Sequence, residues 1–153
     1  MHIDLLERQR MRAPAAAVFA LALDHERFPA LFRGFGPIPS IRTITLHAAP
    51  AVGATRTLEN SDGSQLTETI TALDPNRRHA YTLSGIRLPL SLLARAGHAD
   101  WTFASNGPDT DVTWRYRFEL SHWIAWPLAT ILLRVFMATA MRRCLRAMDR
   151  TLA

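Results

Sequence analysis

Strict alternation of apolar and polar residues runs through the middle of the chain and predicts a series of β-strands. Between Asp111 and Leu120, every second residue from Val112 onward is apolar, and the residues between them are polar or charged. Side chains of a strand point alternately to its two faces, so this stretch has one buried face. Turn residues divide the region into six predicted strands, at about 41–47, 54–60, 64–73, 78–85, 96–105 and 111–120.

The two ends of the chain show different patterns. Residues 3–13 are predicted to form a further strand, followed by a short helix over 15–23, because Pro14 is well placed in the first turn of a helix. A second short helix is predicted over 28–32. Over 127–152, apolar residues recur at spacings of three and four, which predicts one long helix. This order of elements predicts an α+β fold in which the long helix packs on the apolar face of an antiparallel sheet.

The faces of two neighbouring strands predict a buried ion pair. Leu58 marks the inward face of its strand, and Arg56 shares that face; Leu66 and Glu68 share the inward face of the next strand. A three-residue hairpin loop at 61–63 places Leu58 opposite Leu66 and Arg56 opposite Glu68. A charge buried alone costs much free energy, whereas a pair is tolerated. We interpret the pair either as part of a ligand cavity or as a structural salt bridge.

Further inward-facing residues extend this candidate site. Tyr81 shares a face with Leu83, and its hydroxyl needs a hydrogen-bond partner when it is buried. Trp101 is expected inside the fold, which turns His98 and Asp100 outward unless a β-bulge reverses part of the strand. The predicted cavity lining consists of Arg56, Leu58, Glu68, Ile70, Tyr81, Leu83, Trp101, Trp114, Tyr116, Leu132 and Phe136.

Composition and charge limit the class of protein. The 153 residues are 48% hydrophobic and 20% charged, which is typical of a single globular domain over 1–153 and excludes a disordered or fibrous chain. All 18 basic residues are arginine, and they outnumber the 13 acids, which gives a net charge of +5. Such a charge permits an anionic partner without requiring one.

Many of the arginines fall on the predicted last helix. Arg142, Arg146 and Arg150 are spaced by four residues and are expected to form one stripe, on a helix whose single acid is Asp149. A solvated face is the favoured interpretation, and contact with anionic lipid headgroups of a membrane is the alternative. No groove-reading motif is present, so we expect no nucleic-acid partner.

The single cysteine, Cys144, excludes a disulfide within the chain and a zinc site built on several thiolates. Neighbouring arginines could lower the pKa of its thiol, but an inert cysteine packed on a helix is the favoured interpretation. The six histidines lack the spacing of metal ligands. We therefore expect neither a metal nor a cofactor.

The segment from Trp123 to Met141 contains one charge, Arg134, and approaches the length of a membrane-spanning helix. Because an arginine at the centre of a span costs about 2.5–3.5 kcal/mol, a helix packed on a core is the favoured interpretation. The first residues lack the basic and apolar regions of a signal peptide, and we expect a cytoplasmic protein.

Motifs spread over nearly the whole chain resemble the START-like (SRPBCC) superfamily, and within it the polyketide cyclase/dehydrase and lipid-transport branch. The segments that carry the resemblance are Met11-Arg12-Ala13-Pro14 with Val18-Phe19, Asp24, Phe28-Pro29, Val52-Gly53-Ala54-Thr55-Arg56, Gly63 through Glu68, Leu73-Asp74 and Thr110 through Trp114.

The resemblance implies a helix-grip fold, in which a curved seven-stranded antiparallel sheet wraps around a long C-terminal helix and encloses an apolar cavity. It implies ligands such as lipids, sterols, polyketides or plant hormones. In related hormone-binding members, the positions matching Arg56 and Glu68 lie at or near the cavity, and loops matching 61–64 and 85–89 act as entrance flaps. The second strand lacks a lysine, so capture of a ligand carboxylate by a lysine is not implied.

Three functions remain as hypotheses. The first is binding or transport of a hydrophobic small molecule, such as a lipid, polyketide or isoprenoid, by a monomer or homodimer. The second is a cyclase or dehydratase in which Glu68, Arg56 and Tyr81 act as acid–base groups on an enolisable substrate. The third is a protein or membrane-surface adaptor that uses the arginine stripe or the edge formed by Trp123 and Trp126.

Overall fold

One sheet of seven antiparallel strands organises the computed structural model, which describes residues 1–87 and 90–153. The order of strands across the sheet is β1-β7-β6-β5-β4-β3-β2, so the first two strands of the chain form its opposite edges. The strands are β1 His2–Met11, β2 Ile41–Leu46, β3 Thr55–Asn60, β4 Gln65–Asp74, β5 Arg78–Ser84, β6 Ala94–Asn106 and β7 Asp109–Leu120.

The chain crosses from one edge of the sheet to the other through α1 (Ala15–Leu23) and a 3₁₀ turn at Phe28–Ala30. The predicted second short helix over 28–32 is therefore only this turn. The carboxylate of Asp24 accepts hydrogen bonds from the backbone N–H groups of Glu26 and Arg27, both at 3.0 Å. These bonds hold a tight turn directly after α1, and the glycines that follow prevent a longer helix.

The C-terminal helix covers the concave face of the sheet. It runs over Trp123–Leu152 and consists of a 3₁₀ turn (Trp123–Ala125), α2 (Trp126–Ile131), a π-helical segment (Leu132–Met137) and α3 (Ala138–Leu152). A further 3₁₀ turn at Leu90–Leu92 precedes β6. The predicted helix-grip arrangement, a curved seven-stranded sheet around a long helix, is confirmed.

The core lies between the sheet and α3. Trp101 and Trp114 stack on adjacent strands with their ring centroids 4.1 Å apart. From the helix, Met141 and Met148 are fully buried. The alternation predicted for β7 is confirmed, because its apolar residues Val112, Trp114, Tyr116, Phe118 and Leu120 are all buried.

The C-terminal helix has one buried side and one exposed side. Among the described residues, this helix is the one long and apolar enough to cross a membrane by length and composition, and 33% of its most apolar stretch is buried. Ala129, Leu133 and Met137 pack inward. Trp123 and Ile124 remain 75% and 73% exposed. The helix is thus the core helix of the fold along one side, and it presents apolar residues outward along the other.

Candidate functional site

A cavity of about 130 Å³ lies between the sheet, the first half of the C-terminal helix and the segment that joins α1 to β2. Its wall is largely apolar. Phe32 and Ile38 come from the joining segment, and Leu133 and Met137 come from the helix. Polar side chains enter only from the sheet. The combination suits a hydrophobic ligand that carries few polar atoms.

Most of the predicted lining residues meet at this cavity. Seven of the eleven contribute to its wall: Leu58, Glu68, Tyr81, Leu83, Trp114, Tyr116 and Leu132. They come from β3, β4, β5, β7 and the helix. Alternation predicts the inward faces of the strand residues, and spacings of three and four predict that of Leu132.

Four predicted residues do not line the cavity. Arg56 lies behind Glu68, and its guanidinium carbon is 5.7 Å from the centroid of the Tyr81 ring. Ile70 lies two residues beyond Glu68 along β4 and is buried, but it does not contribute to the cavity wall. Trp101 is covered by Trp114, against which it stacks.

Phe136 is the fourth, and the π-helical segment explains its position. A π-helix completes a turn in more residues than an α-helix, so the residue that aligns with Leu132 is not the one four positions later. Met137 joins Leu132 in the cavity wall instead. Phe136 packs against Phe35, with ring centroids 5.8 Å apart.

The cavity also contains residues that the sequence did not point to. Phe28, Phe32, Ile38 and Pro39 belong to the segment that joins α1 to β2, where no sustained period signals which side chains face inward. Ile41 is the first residue of β2. Asn60, Leu66 and Phe118 lie on inward faces that alternation had already identified, and the same rule could have included them. The remaining wall is formed by Ile86, Leu90, Leu93, Ala94, Leu133 and Met137.

The predicted ion pair between Arg56 and Glu68 is confirmed. The two residues are partners in the β3–β4 register, and the loop between the strands closes as expected because Gly63 adopts a φ of +85°. Nε of Arg56 donates a hydrogen bond to Oε2 of Glu68, and the residues are only 5% and 3% exposed. Burial raises the pKa of Glu68, and the positive charge of Arg56 opposes that shift.

Tyr81 and His79 extend this polar cluster along β5. Burial and the nearby charge of Glu68 raise the pKa of the Tyr81 hydroxyl. The His79 ring lies 5.1 Å from the Tyr81 ring. Burial, assisted by the charge of Arg56, lowers the pKa of His79 to about 3, so its imidazole is neutral at physiological pH. Both ring nitrogens of His79 and Nε1 of Trp114 are buried without a hydrogen-bond partner among the described residues.

His98 and Asp100 face away from the cavity, as expected from the inward position of Trp101. Asp100 accepts hydrogen bonds from Arg78 at 3.0 and 2.7 Å. Nε2 of His98 lies 3.1 Å from a carboxylate oxygen of Glu119. Both residues make polar contacts on the outer surface of the sheet.

The two loops implied as entrance flaps lie near the cavity to different degrees. Asn60, the last residue of β3 and the residue before the 61–64 loop, lines the wall. Ile86 of the 85–89 loop lines it, and so does Leu90, the residue directly after that loop. Leu88 and Pro89 of that loop fall outside the described residues.

Other candidate chemistry is not assembled in the described part of the chain. Cys144 is fully buried, and burial raises the pKa of its thiol, so the nearby arginines do not activate it. Among residues 1–87 and 90–153, no group of three or more His, Cys, Asp or Glu side chains could hold a metal ion.

A helix-grip fold with an apolar cavity defines a class of proteins that enclose small molecules. The chain belongs to the polyketide cyclase/dehydrase and lipid-transport family, whose sequence profile matches residues 3–153. No curated protein matches the sequence.

Solved structures share the fold at low sequence identity. The di-domain ARO/CYC protein BexL from the BE-7585A biosynthetic pathway is 16% identical with a TM-score of 0.75, and the match covers 99% of this chain and 50% of that chain. Norcoclaurine synthase from Thalictrum flavum, in complex with a transition-state analogue, is 10% identical with a TM-score of 0.71, over 99% and 94% of the chains. The major latex-like protein 151 of Panax ginseng is 13% identical with a TM-score of 0.67, over 99% and 97%.

Proposed function

We propose that the protein binds or transports a hydrophobic small molecule in the cavity between the sheet and the C-terminal helix. The observation that carries this proposal is the cavity itself, about 130 Å³ of space enclosed mainly by aromatic and aliphatic side chains. Membership of a family described by polyketide cyclisation and lipid transport agrees with such a ligand. A closed core of the same size would contain no such space, because protein interiors pack as densely as organic crystals.

The polar wall of the cavity favours a ligand with an uncharged polar group. Glu68 reaches the cavity, whereas Arg56 lies behind it and is already neutralised. A ligand carboxylate would meet the charge of Glu68 and find no unpaired cation beside it. A hydroxyl or carbonyl group can instead bond to Glu68 or to Tyr81. Alcohols, sterols, isoprenoids and neutral polyketides satisfy these conditions.

Native mass spectrometry and a displacement assay test the proposal together. The protein should retain a co-purified apolar ligand, and it should bind the neutral fluorescent probe N-phenyl-1-naphthylamine. Leu132→Trp fills the cavity and should abolish probe binding. The matched control is Leu128→Trp, because Leu128 is on the same helix and exposed. Equal probe binding by both variants and the wild type would contradict an internal binding site.

The second candidate function is cyclase or dehydratase activity. It is favoured by one observation, a buried carboxyl group with a raised pKa that lines the cavity next to Tyr81. In this proposal Glu68 removes a proton from an enolisable ligand, and Tyr81 hydrogen-bonds to the oxygen that gains charge.

Proton exchange tests this chemistry without knowledge of the natural substrate. The wild type should accelerate deuterium exchange into the methylene group of a medium-chain β-diketone, and Glu68→Gln should lose the acceleration while still binding the diketone. Exchange that is equally fast in the variant would remove the acid–base role. The binding proposal would stand in that case, because it depends only on displacement of the probe.

Contact with a membrane surface is proposed for the apolar edge beside the cavity. Leu92, Trp123 and Ile124 are exposed there, while Leu90 of the same turn as Leu92, and Leu93 directly after it, line the cavity. The hydroxyl of Ser121 donates a hydrogen bond to the carbonyl of Ser91, which holds the two segments together. The sequence has no acid between Glu119 and Asp149, so anionic headgroups would not be repelled.

Vesicle flotation tests this contact. The wild type should float with vesicles that contain anionic phosphatidylglycerol, and the double substitution of Trp123 and Ile124 by Ser should abolish flotation. Unchanged flotation of the double variant would exclude this edge. The control is Leu6→Ser, which removes an exposed apolar residue from the outer face of β1.

A further inference from the structure

We propose that a second site, separate from the cavity, binds a multivalent phosphoryl anion. The site, called the arginine cleft here, is a surface cleft with an open volume of about 590 Å³. Four arginines line it: Arg33, Arg143, Arg146 and Arg150. The remainder of its wall is formed by Ala30, Leu31, Ala147 and Thr151.

Two separate elements build the arginine cleft. Arg143, Arg146 and Arg150 follow one another at spacings of three and four along α3, so they project from one face of the helix. Arg33 comes from the segment after the 3₁₀ turn, which packs beside the helix through the buried residue Leu31. The convergence of charge therefore depends on the tertiary fold and is not a run of neighbours in the sequence.

Carboxylates of this region are engaged elsewhere. No acidic side chain lines the arginine cleft in the described parts of the chain. Asp149, the acid of α3, accepts hydrogen bonds from Arg12, including one at 3.1 Å from its guanidinium. The predicted stripe of Arg142, Arg146 and Arg150 is corrected here, because Arg142 turns to Glu7 at 2.7 Å. Arg143 takes its place in the cleft.

Like charges held close together repel one another, and a bound anion would relieve that repulsion. Intramolecular contacts hold two of the four guanidinium groups. The guanidinium carbon of Arg143 lies 4.4 Å from the centroid of the Phe35 ring. Nε of Arg33 donates to the carbonyl oxygen of Ala30 at 3.2 Å. Side chains that are already positioned lose less conformational entropy when a ligand binds.

The donor geometry favours phosphoryl oxygens. A guanidinium group presents paired N–H donors that match two oxygens of a phosphate, and arginine keeps its charge at every physiological pH. Four such groups suit an anion with more than two charges, and pyrophosphate is the simplest example. The phosphoryl group could belong to a soluble phosphate ester or to a phospholipid headgroup. The site is separate from the cavity, whose helical lining ends at Met137.

Calorimetric titration of the full chain with pyrophosphate at low salt tests the arginine cleft. The double variant Arg143→Gln/Arg146→Gln should bind about a hundredfold more weakly, since each lost charge-assisted contact costs roughly tenfold in affinity. The matched control is Arg8→Gln/Arg115→Gln, which removes two exposed arginines from the outer face of the sheet. Its affinity should be unchanged.

Two results would overturn the proposal: no pyrophosphate binding by the wild type, or an equal loss in the control, which would indicate only general attraction to a cationic protein. Circular dichroism and thermal melting check that the variants are folded. If the double variant unfolds, the single variant Arg150→Gln replaces it, because its side chain is exposed near the end of the helix.

Vesicles distinguish the two sources of the phosphoryl group. If pyrophosphate displaces the protein from vesicles that contain phosphatidic acid, and the double variant fails to bind them, the headgroup is the ligand. If neither added pyrophosphate nor the double substitution affects vesicle binding, while the double variant no longer binds pyrophosphate, the ligand is a soluble phosphate compound. Displacement of N-phenyl-1-naphthylamine reports the cavity separately, so failure at one site leaves the other site testable.

Discussion

Arg56 lies opposite Glu68 across the β3–β4 hairpin, and the two buried side chains bond to each other, yet only Glu68 reaches the cavity wall. A ligand in the cavity therefore meets the carboxylate of Glu68, which accepts hydrogen bonds, and does not meet the guanidinium of Arg56. This arrangement allows a charge to lie next to an apolar cavity without an unpaired ion in the interior.

Removal of one member of the pair should destabilise the fold strongly. Arg56→Met leaves Glu68 buried without a cation, and the free energy of unfolding should fall by about 3–5 kcal/mol. The double variant Arg56→Met/Glu68→Leu should regain most of this loss, because no unpaired charge remains. Urea unfolding measures both. If the double variant is no more stable than the single variant, the pair is needed for packing and not for charge balance.

Glu68 should make the cavity bind uncharged ligands more tightly than anionic ones. The wild type should prefer a long-chain alcohol to the fatty acid of the same length, because the carboxylate of the acid meets Glu68. In Glu68→Gln the guanidinium of Arg56 loses its partner and can attract the ligand carboxylate, so affinity for the fatty acid should rise about tenfold or more. Displacement of N-phenyl-1-naphthylamine measures both ligands. A preference for the alcohol that is unchanged in the variant would contradict this explanation of specificity.

Acid should destabilise the protein through His79. Its pKa falls from 6.5 to about 3 on folding, so the unfolded chain binds the extra proton between these values. Stability is then complete above pH 6.5 and falls as the pH decreases toward 3, by about 1.4 kcal/mol per unit. His79→Phe should flatten this slope in urea unfolding measured from about pH 7 to pH 5. The exposed His122→Phe is the control, and an identical slope in His79→Phe would disprove the assignment.

Gly97 should control the width of the cavity. A Cβ atom at this position would lie 2.8 Å from Cε1 of Tyr116 and 3.2 Å from Cε1 of Phe118. Gly97→Ala should push Tyr116 toward the cavity, weaken probe binding and destabilise the fold by about 1–3 kcal/mol. Tyr116→Leu removes the obstructing ring and should restore part of the stability in the double variant. Normal probe binding by Gly97→Ala would show that Tyr116 does not limit the space.

Patterns with a fixed period allowed much of the site to be predicted. A period of two assigned the inward faces of the strands, and a three-residue loop set the register that joins Arg56 to Glu68. The same rules failed where a period changes or is absent. The π-helical segment replaces the expected Phe136 by Met137, and the segment after α1 places Phe32 and Ile38 in the cavity without any repeating pattern.

Long-range charge pairing was also beyond the sequence. Spacing alone predicts that Arg142 lies with Arg146 and Arg150. In the structure, Arg142 forms an ion pair with Glu7 of β1 instead, and Arg143 lines the arginine cleft. Glu7 is distant in the chain, so only the tertiary structure reveals this pairing.

The position of β1 at one edge of the sheet has a consequence for synthesis of the chain. Its inward residues Ile3 and Leu5 pair across the sheet with Phe118 and Tyr116 of β7, which are among the last sheet residues to leave the ribosome. Until then, the first strand has no strand to pair with, and its exposed apolar face can misfold or aggregate. Such distant pairing also slows folding, because a long loop must close before the contacts form. We expect the nascent chain to depend on chaperones until β7 emerges.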